Sequence, residues 1–225
     1  MKRPYPLLLV CFAALLLNGC SSLGPGRNID GHVPLNKAGS EVPENQLLDV
    51  WIELFDPGSL PEDEDDAMGL SMDIRDAEAR YMPEQLRTAM EATGYWGAVR
   101  VVPQNTEGAE LLVRGTIIVS DGEQLELEIT ALDATGREWF SRNYEEEIEI
   151  EAYRRSANND QDVFYSLYHA IANDLAEFRQ QLTARDITTI HQVAELRFAA
   201  DLAPDAFSGY LSQDSKGRYS VTRLP

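Results

Sequence analysis

Three segments between residues 110 and 150 alternate apolar and polar side chains, with a short glycine-containing turn after each of the first two. The Asp-Gly pair at 121–122 is typical of a tight β-hairpin turn, and residues 133–136 form the second turn signal. In the middle segment, 124–131, every second residue is apolar and those between are Gln, Glu and Thr. This pattern predicts a strand with one buried side and one solvated, acidic side. The chain is therefore expected to contain a three-stranded β-meander.

Upstream of the meander, the sequence predicts a strand, a helix and a second strand. Residues 47–56 are rich in Val, Ile, Trp and Phe, which favour strands. The helix is expected over 82–93, because Pro83 is best tolerated in a first helical turn and Gly94 suits a helix C-cap. A short strand over 95–103 follows.

Downstream, six apolar residues spaced 4-3-4-3-4 from Phe164 to Leu182 predict the clearest helix of the chain. We interpret this stripe as one that packs on the sheet; homo-oligomerisation through the helix is the alternative. A further amphipathic stretch covers 186–200. The predicted fold class is α/β (α+β), a mainly antiparallel sheet with helices packed on one face and a helical C-terminal extension.

The first twenty residues have the pattern of a secretory signal. A short basic segment precedes an unbroken apolar run over 7–17, which as a helix measures about 16 Å and is too short to span a bilayer. Residues 17–20, Leu-Asn-Gly-Cys, resemble the lipobox of bacterial lipoproteins. The resemblance implies cleavage after Gly19 and acylation of Cys20 by a diacylglyceryl thioether and an N-acyl chain. An ordinary signal peptide or plain membrane anchor with a chance cysteine is the alternative.

Serine at 21 and 22 implies, by the same resemblance, export to the bacterial outer membrane on its periplasmic face. Cys11 leaves with the signal peptide, so the mature protein has no thiol free for a disulfide or a thiolate metal site. Residues 21–45 are dense in Gly, Pro, Ser and Asn, which predicts a flexible tether of about 80 to 90 Å when drawn out. Deletion of 24–44 is expected to leave the domain folded.

The sequence therefore divides into four predicted segments. Residues 1–19 are the lipoprotein signal peptide, and 20–45 are the lipidated Cys20 with its flexible tether. Residues 46–183 form an α/β sandwich domain, and 184–225 form a helical C-terminal extension. No internal repeat is visible.

The chain carries 38 acidic and 19 basic residues, for a net charge of −19. Such a charge repels nucleic acid, so nucleic-acid binding is not expected. We interpret the acidic runs at 62–66, 124–130 and 145–151 as solvated faces, with a cationic partner surface or loosely bound calcium as alternatives. The run at 62–66 is the best metal candidate, but it lacks the alternating order of a calcium loop.

No catalytic motif stands out. The mature chain has three histidines, His32, His169 and His191, without the spacing of a metal-ligand pair, and the sequence contains no GxSxG elbow or P-loop. We therefore predict a non-enzymatic protein with no metal and no cofactor. A carboxylate pair acting on peptidoglycan is the enzyme-class alternative.

Four aromatic residues are candidates for a partner interface: Tyr95, Trp96, Trp139 and Phe140. The last two are adjacent in a predicted strand and so are expected to face opposite sides, which would leave one outside the main core. Exposed aromatic side chains are enriched at protein interfaces. The alternative is that the helices from Ile187 onward cover them.

Together with the lipobox, two stretches resemble a group of bacterial envelope lipoproteins: PEQLRTAMEATGYWGAVRVVP and AELLVRGTIIVSDGEQLELEITALDATGREW. The group includes the activators of penicillin-binding proteins, the curli-secretion lipoprotein and the auxiliary lipoproteins of ABC-type lipid transporters; the N-terminal domain of the Tol translocation protein is similar. The resemblance covers about residues 47–182. It implies an accessory or scaffold of cell-wall synthesis or secretion that binds an envelope protein, or alternatively an auxiliary subunit of lipid transport.

Overall fold

A computed structural model describes residues 24–61, 70–148 and 162–225. The described chain contains eight strands and four α-helices. In chain order they are β1 (Arg27–Ile29), β2 (Val50–Glu53), α1 (Met72–Thr93), β3 (Val99–Val102), β4 (Leu111–Ser120), β5 (Gln124–Asp133), β6 (Glu138–Glu147), α2 (Tyr165–Gln181), α3 (Ala184–Leu202), α4 (Pro204–Phe207), β7 (Leu211–Gln213) and β8 (Tyr219–Val221).

Six strands form one sheet in the order β1-β6-β5-β4-β2-β3. β4, β5 and β6 make the predicted antiparallel meander, and α1 and α2 pack against each other beside the core face of the sheet. The pairs β1–β6, β2–β3 and β2–β4 are parallel. The α/β class is thus confirmed, but the sheet is mixed rather than mainly antiparallel. One reason is that α1 carries the chain back between β2 and β3, and such crossovers join parallel strands.

Helix α1 is longer than predicted because its proline is accommodated. It begins at Met72, a full ten residues before the expected start, and Pro83 lies inside it. Proline has no N–H to donate to the carbonyl one turn earlier, which here belongs to Ala79. The N–H of Phe55 donates to that carbonyl instead, at 3.0 Å. The helix ends as predicted, with Gly94 in the left-handed region at φ 72°.

The apolar stripe of α2 is core, as the sequence predicted. Tyr168, Ile171 and Leu175 are buried, and so is almost every residue between Ser166 and Ala176. The helix is enclosed because α1 lies on one side of it and β6 and β1 lie on another. The stripe is therefore occupied within this chain and is not the free surface that homo-oligomerisation would need.

Residues 24–38 lie along α2, and we call them the N-terminal strap. Strand β1 belongs to the strap and pairs with β6, and Ile29 is buried in the core. The flexible tether predicted for 20–45 is therefore wrong for residues 24–38. The physical reason is that polar side chains of α2 satisfy the strap's backbone, which composition alone does not reveal. Deletion of 24–44 would remove part of the fold.

The C-terminal region is part of the domain rather than an appended helical piece. Helix α3 begins with a capping box between Thr183 and Asp186, and its apolar side, including Ile187 and Val193, joins the core. Strands β7 and β8 then form a hairpin, which the prediction of a helical extension missed. The hairpin is held to the β5–β6 turn by a backbone hydrogen bond from Tyr219.

Candidate functional site

The two tryptophans proposed as interface residues lie in the core. Trp96 and Trp139 are each 6% exposed and are stacked with their ring centroids 6.3 Å apart. The ring of Phe178 on α2 stacks on Trp139 at 4.7 Å, and the Trp139 indole donates to the carboxylate of Asp133 at 3.0 Å. The interface prediction is wrong for both, because both rings are buried in the core, where Phe178 of α2 covers Trp139 and Trp139 stacks on Trp96.

Phe140 does not leave the core side, although it follows Trp139 directly. The pairing of β5 and β6 shifts by one residue between Ala131 and Leu132, so the strict alternation of side chains is interrupted there. Phe140 is half-buried and packs edge-on against Tyr144, on the side of the helices. The expectation that one of the two aromatic residues must face away was therefore wrong.

Tyr95, the fourth candidate, is half-buried at the end of α1. The guanidinium of Arg179 lies 5.8 Å from its ring centroid and donates to the carbonyl of Gln46 at 2.7 Å. Tyr95 thus has partners within the chain. Gly19 and Cys20, the predicted cleavage and lipidation site, lie outside the described residues.

The sheet has a second face, opposite the helices, which we call the open face. None of its side chains on β4, β5 and β6 is buried, in contrast to their neighbours on the core side. The open face includes Leu112, Arg114, Thr116, Val119, Gln124, Glu126, Glu128, Thr130, Leu132, Glu138, Ser141, Asn143, Glu145 and Glu147.

A row of carboxylates runs across the open face. Glu126 and Glu145 lie directly opposite each other on β5 and β6. Glu126 accepts a hydrogen bond from Asn143 at 2.7 Å, and Glu145 accepts one from Gln124 at 2.6 Å. Within the described chain, no Lys or Arg forms an ion pair with these two or with Glu128. Because like charges opposite each other are unfavourable, a positively charged group bound there would relieve repulsion.

The other end of the open face meets the loop between β3 and β4. Arg114 donates to Glu53 at 3.0 Å, and the buried Glu53 also accepts the N–H of Asn105 at 2.8 Å. Asn105 has a left-handed backbone, φ 61°, so this hydrogen bond holds a turn that few residue types adopt. A cavity of about 260 Å³ opens here, lined in part by Leu112, Arg114, Leu132, Arg197 and Tyr219.

One buried carboxyl titrates near neutrality. Glu146, on the core side of β6, accepts the N–H of Leu167 in the first turn of α2 at 2.9 Å. Phe164, the N-cap residue of that helix, has no side-chain acceptor, so Glu146 supplies the capping bond from another element. Burial raises the pKa of Glu146 to about 7, although the bond from Leu167 opposes the rise.

The described residues contain no group of three or more metal-ligating side chains. The acidic run at 62–66, the best calcium candidate, lies outside them. Each histidine bonds to a residue of another segment rather than to a second histidine. The partners are Tyr165 for His32, Val33 for His169, and Glu110 for His191.

No protein-family model and no curated protein matches the chain. Among the helices that the structure describes, none is long and apolar enough to cross a bilayer. The acidic runs at 124–130 and 145–151, interpreted from the sequence as solvated faces with a cationic partner surface as one alternative, meet on the open face through Glu126 and Glu145. This acidic side was visible in the alternation of β5, but the pairing of Glu126 with Glu145 depends on a register that the sequence does not state.

Proposed function

We propose that the protein is a lipid-anchored lipoprotein of the bacterial outer membrane that binds another envelope component and catalyses no reaction. Its role is that of an accessory or scaffold in an envelope machine such as cell-wall synthesis or secretion. The lipobox at 17–20 supports the anchor, and the open face is the observation that supports partner binding.

The open face has the dimensions of a protein contact. Strands of ten residues are about 33 Å long, and three strands about 4.8 Å apart form a surface about 15 Å wide with their side chains. A transient interface of modest area fits on it. The carboxylate row gives it negative charge, which favours a partner segment rich in Lys or Arg.

Two cavities in the part of the chain that the structure describes favour this function over lipid transport. An auxiliary lipid-transport subunit would need an apolar groove for an acyl chain. The cavity beside the open face contains Arg114 and Arg197, and a second one of about 350 Å³ contains Arg137, Asp186 and Arg218. Burying an acyl chain against these charges would be unfavourable.

The lipid anchor is tested by palmitate labelling of cells that produce the protein or its Cys20→Ala variant. The native protein is expected to incorporate label and to remain with the outer-membrane fraction, and the variant to do neither. Acylation and membrane retention of the variant would refute the lipobox.

Partner binding is tested with a photo-crosslinking amino acid placed at Thr116 on the open face. Glu177, exposed on α2, is the matched control position on the opposite side. A partner crosslinked from 116 and not from 177 is expected. Equal products from both positions, or none from 116, would contradict a role for the open face.

A further inference from the structure

The N-terminal strap is held by a row of polar side chains on the otherwise buried helix α2. Ser166, His169 and Asn173 lie on one side of the helix, spaced by three and four residues. Ser166 accepts the N–H of Val33 at 3.1 Å, and a ring nitrogen of His169 bonds the Val33 carbonyl at 2.8 Å. Both polar groups of one strap residue are thus satisfied by α2.

Asn173 continues the row one turn further along. Its side-chain oxygen accepts the N–H of Asn36 at 2.8 Å, and its side-chain nitrogen donates to the carbonyl of Pro34 at 3.0 Å. Buried polar groups are unfavourable unless they are bonded. Ser166, His169 and Asn173 on this buried helix therefore bind the strap, and the strap's backbone in turn satisfies their polar groups.

The first residues of the strap are also bound to the domain, by backbone hydrogen bonds and an ion pair. Gly24 donates its N–H to the carbonyl of Ser141 on β6 at 2.8 Å, and β1 follows in parallel register with β6. Arg27 forms an ion pair with Asp174, which is 8% exposed and also bonds Arg142. Gly24, the first residue that the structure describes, is therefore already part of the docked chain.

We infer that the strap holds the domain close to the membrane surface, so that the open face meets only partners that come close to that membrane. This inference rests on the proposed acylation of Cys20. Only three residues separate Cys20 from Gly24, so the acylated residue lies within about 14 Å of the docked chain. A free tether up to residue 45 would instead reach about 80 to 90 Å.

The strap limits which partners the protein can meet. A folded unit of about 200 residues has a radius of gyration of about 16 Å and is about 40 to 45 Å across. Every point of the open face then lies within about 60 Å of the bilayer. The open face can therefore be reached only by a basic partner segment that comes within this distance of the bilayer.

The inference is tested on the lipidated protein in vesicles of phosphatidylethanolamine and phosphatidylglycerol. Hydrogen exchange measures strap docking through the amides of Val33 and Asn36. We expect both to be protected, and Asn173→Ala to speed their exchange by about 5- to 30-fold, as the loss of one or two hydrogen bonds implies. Gln180→Ala, on an exposed site of the same helix, is the control and is expected to change neither amide.

Distance is measured by energy transfer from a dye on Ser208→Cys to acceptor lipids, with and without a 15-residue Gly-Ser spacer after Ser22. We expect transfer to fall when the spacer is present. Exchange of the strap at free-chain rates, or transfer as low in the native chain as with the spacer, would overturn the inference. If the native protein carries no palmitate, the lipid anchor and the membrane distance are both refuted. The exchange data report strap docking independently, so the two failures can be told apart.

Discussion

The ring of Phe55 lies directly on Gly115. A Cβ atom at position 115 would stand 2.6 Å from two carbons of that ring, closer than side-chain atoms approach. Phe55 is buried, follows β2, and its N–H donates to Ala79 of α1, while Gly115 is central in β4. The contact therefore joins the helix layer to the middle of the sheet, and it requires a residue without a side chain at 115.

Gly115→Ala is expected to lower the free energy of unfolding by about 1 to 3 kcal/mol, because the added methyl group overpacks the core against Phe55. Urea unfolding followed by circular dichroism measures the change. Gly39→Ala is the control, since a Cβ there meets no atom within 4 Å. Equal stability of the two variants would show that the Phe55 ring can move aside.

Glu146→Gln is expected to change how stability depends on pH. The native pKa of about 7 lies above the ordinary value of 4.5, so the native state binds this proton more tightly than the unfolded chain. The stabilising contribution is therefore fully present below pH 4.5 and is lost as the pH rises to about 7. Glutamine stays neutral and keeps an acceptor for Leu167.

The variant should accordingly gain about 1 to 3 kcal/mol relative to the native protein between pH 5 and pH 8. Urea unfolding at several pH values measures the difference. Glu177→Gln, at an exposed position of α2, serves as the control. If the free energies of unfolding of the native protein and of Glu146→Gln change in parallel over this pH range, the raised pKa of Glu146 is ruled out.

Asp174→Asn is expected to lower the free energy of unfolding by about 2 to 4 kcal/mol. The carboxylate accepts hydrogen bonds from Arg27, Arg142 and the buried hydroxyl of Tyr144, and the neutral amide leaves the two guanidiniums without their counter-charge. Thermal and urea unfolding measure the loss. Asp201→Asn, at an exposed site of α3, should stay within about 0.5 kcal/mol of the native protein. If both variants lower the free energy of unfolding by a similar small amount, solvent compensates Arg27 and Arg142 for the lost counter-charge.

Glu126→Gln is expected to stabilise the sheet by about 0.2 to 1 kcal/mol, because it removes the like charge opposite Glu145 and keeps an oxygen for Asn143. The gain should shrink in high salt. Glu128→Gln is the matched control, since its cross-strand neighbour is the neutral Asn143. Urea unfolding at low and high salt measures the free energy of unfolding of both variants. Equal increases in the two variants would argue against a specific repulsion between Glu126 and Glu145.

Much of the local structure follows from the sequence. The alternation of β5 appears as strictly alternating burial, the apolar stripe of α2 lies in the core, and Gly94 ends α1 in the left-handed region. These features depend on residues close together in the chain, whose periodicity and turn chemistry can be read directly. The acidic side of the meander was visible for the same reason.

Contacts between distant segments decided the rest. The bond from Phe55 to Ala79 lets α1 continue through Pro83, a register shift places Trp139 on the side of the helices beside Phe140, and α2 binds the strap through Asn173 and its neighbours. In each case a local preference, for a helix break, for strict alternation or for a flexible segment, is outweighed by a partner more than twenty residues away or on another strand. The sequence by itself determined the meander, helix α2 and the solvated side of the sheet. Tertiary structure decided where β1, the β7–β8 hairpin and the first half of α1 form, because these depend on hydrogen bonds and packing supplied by distant segments.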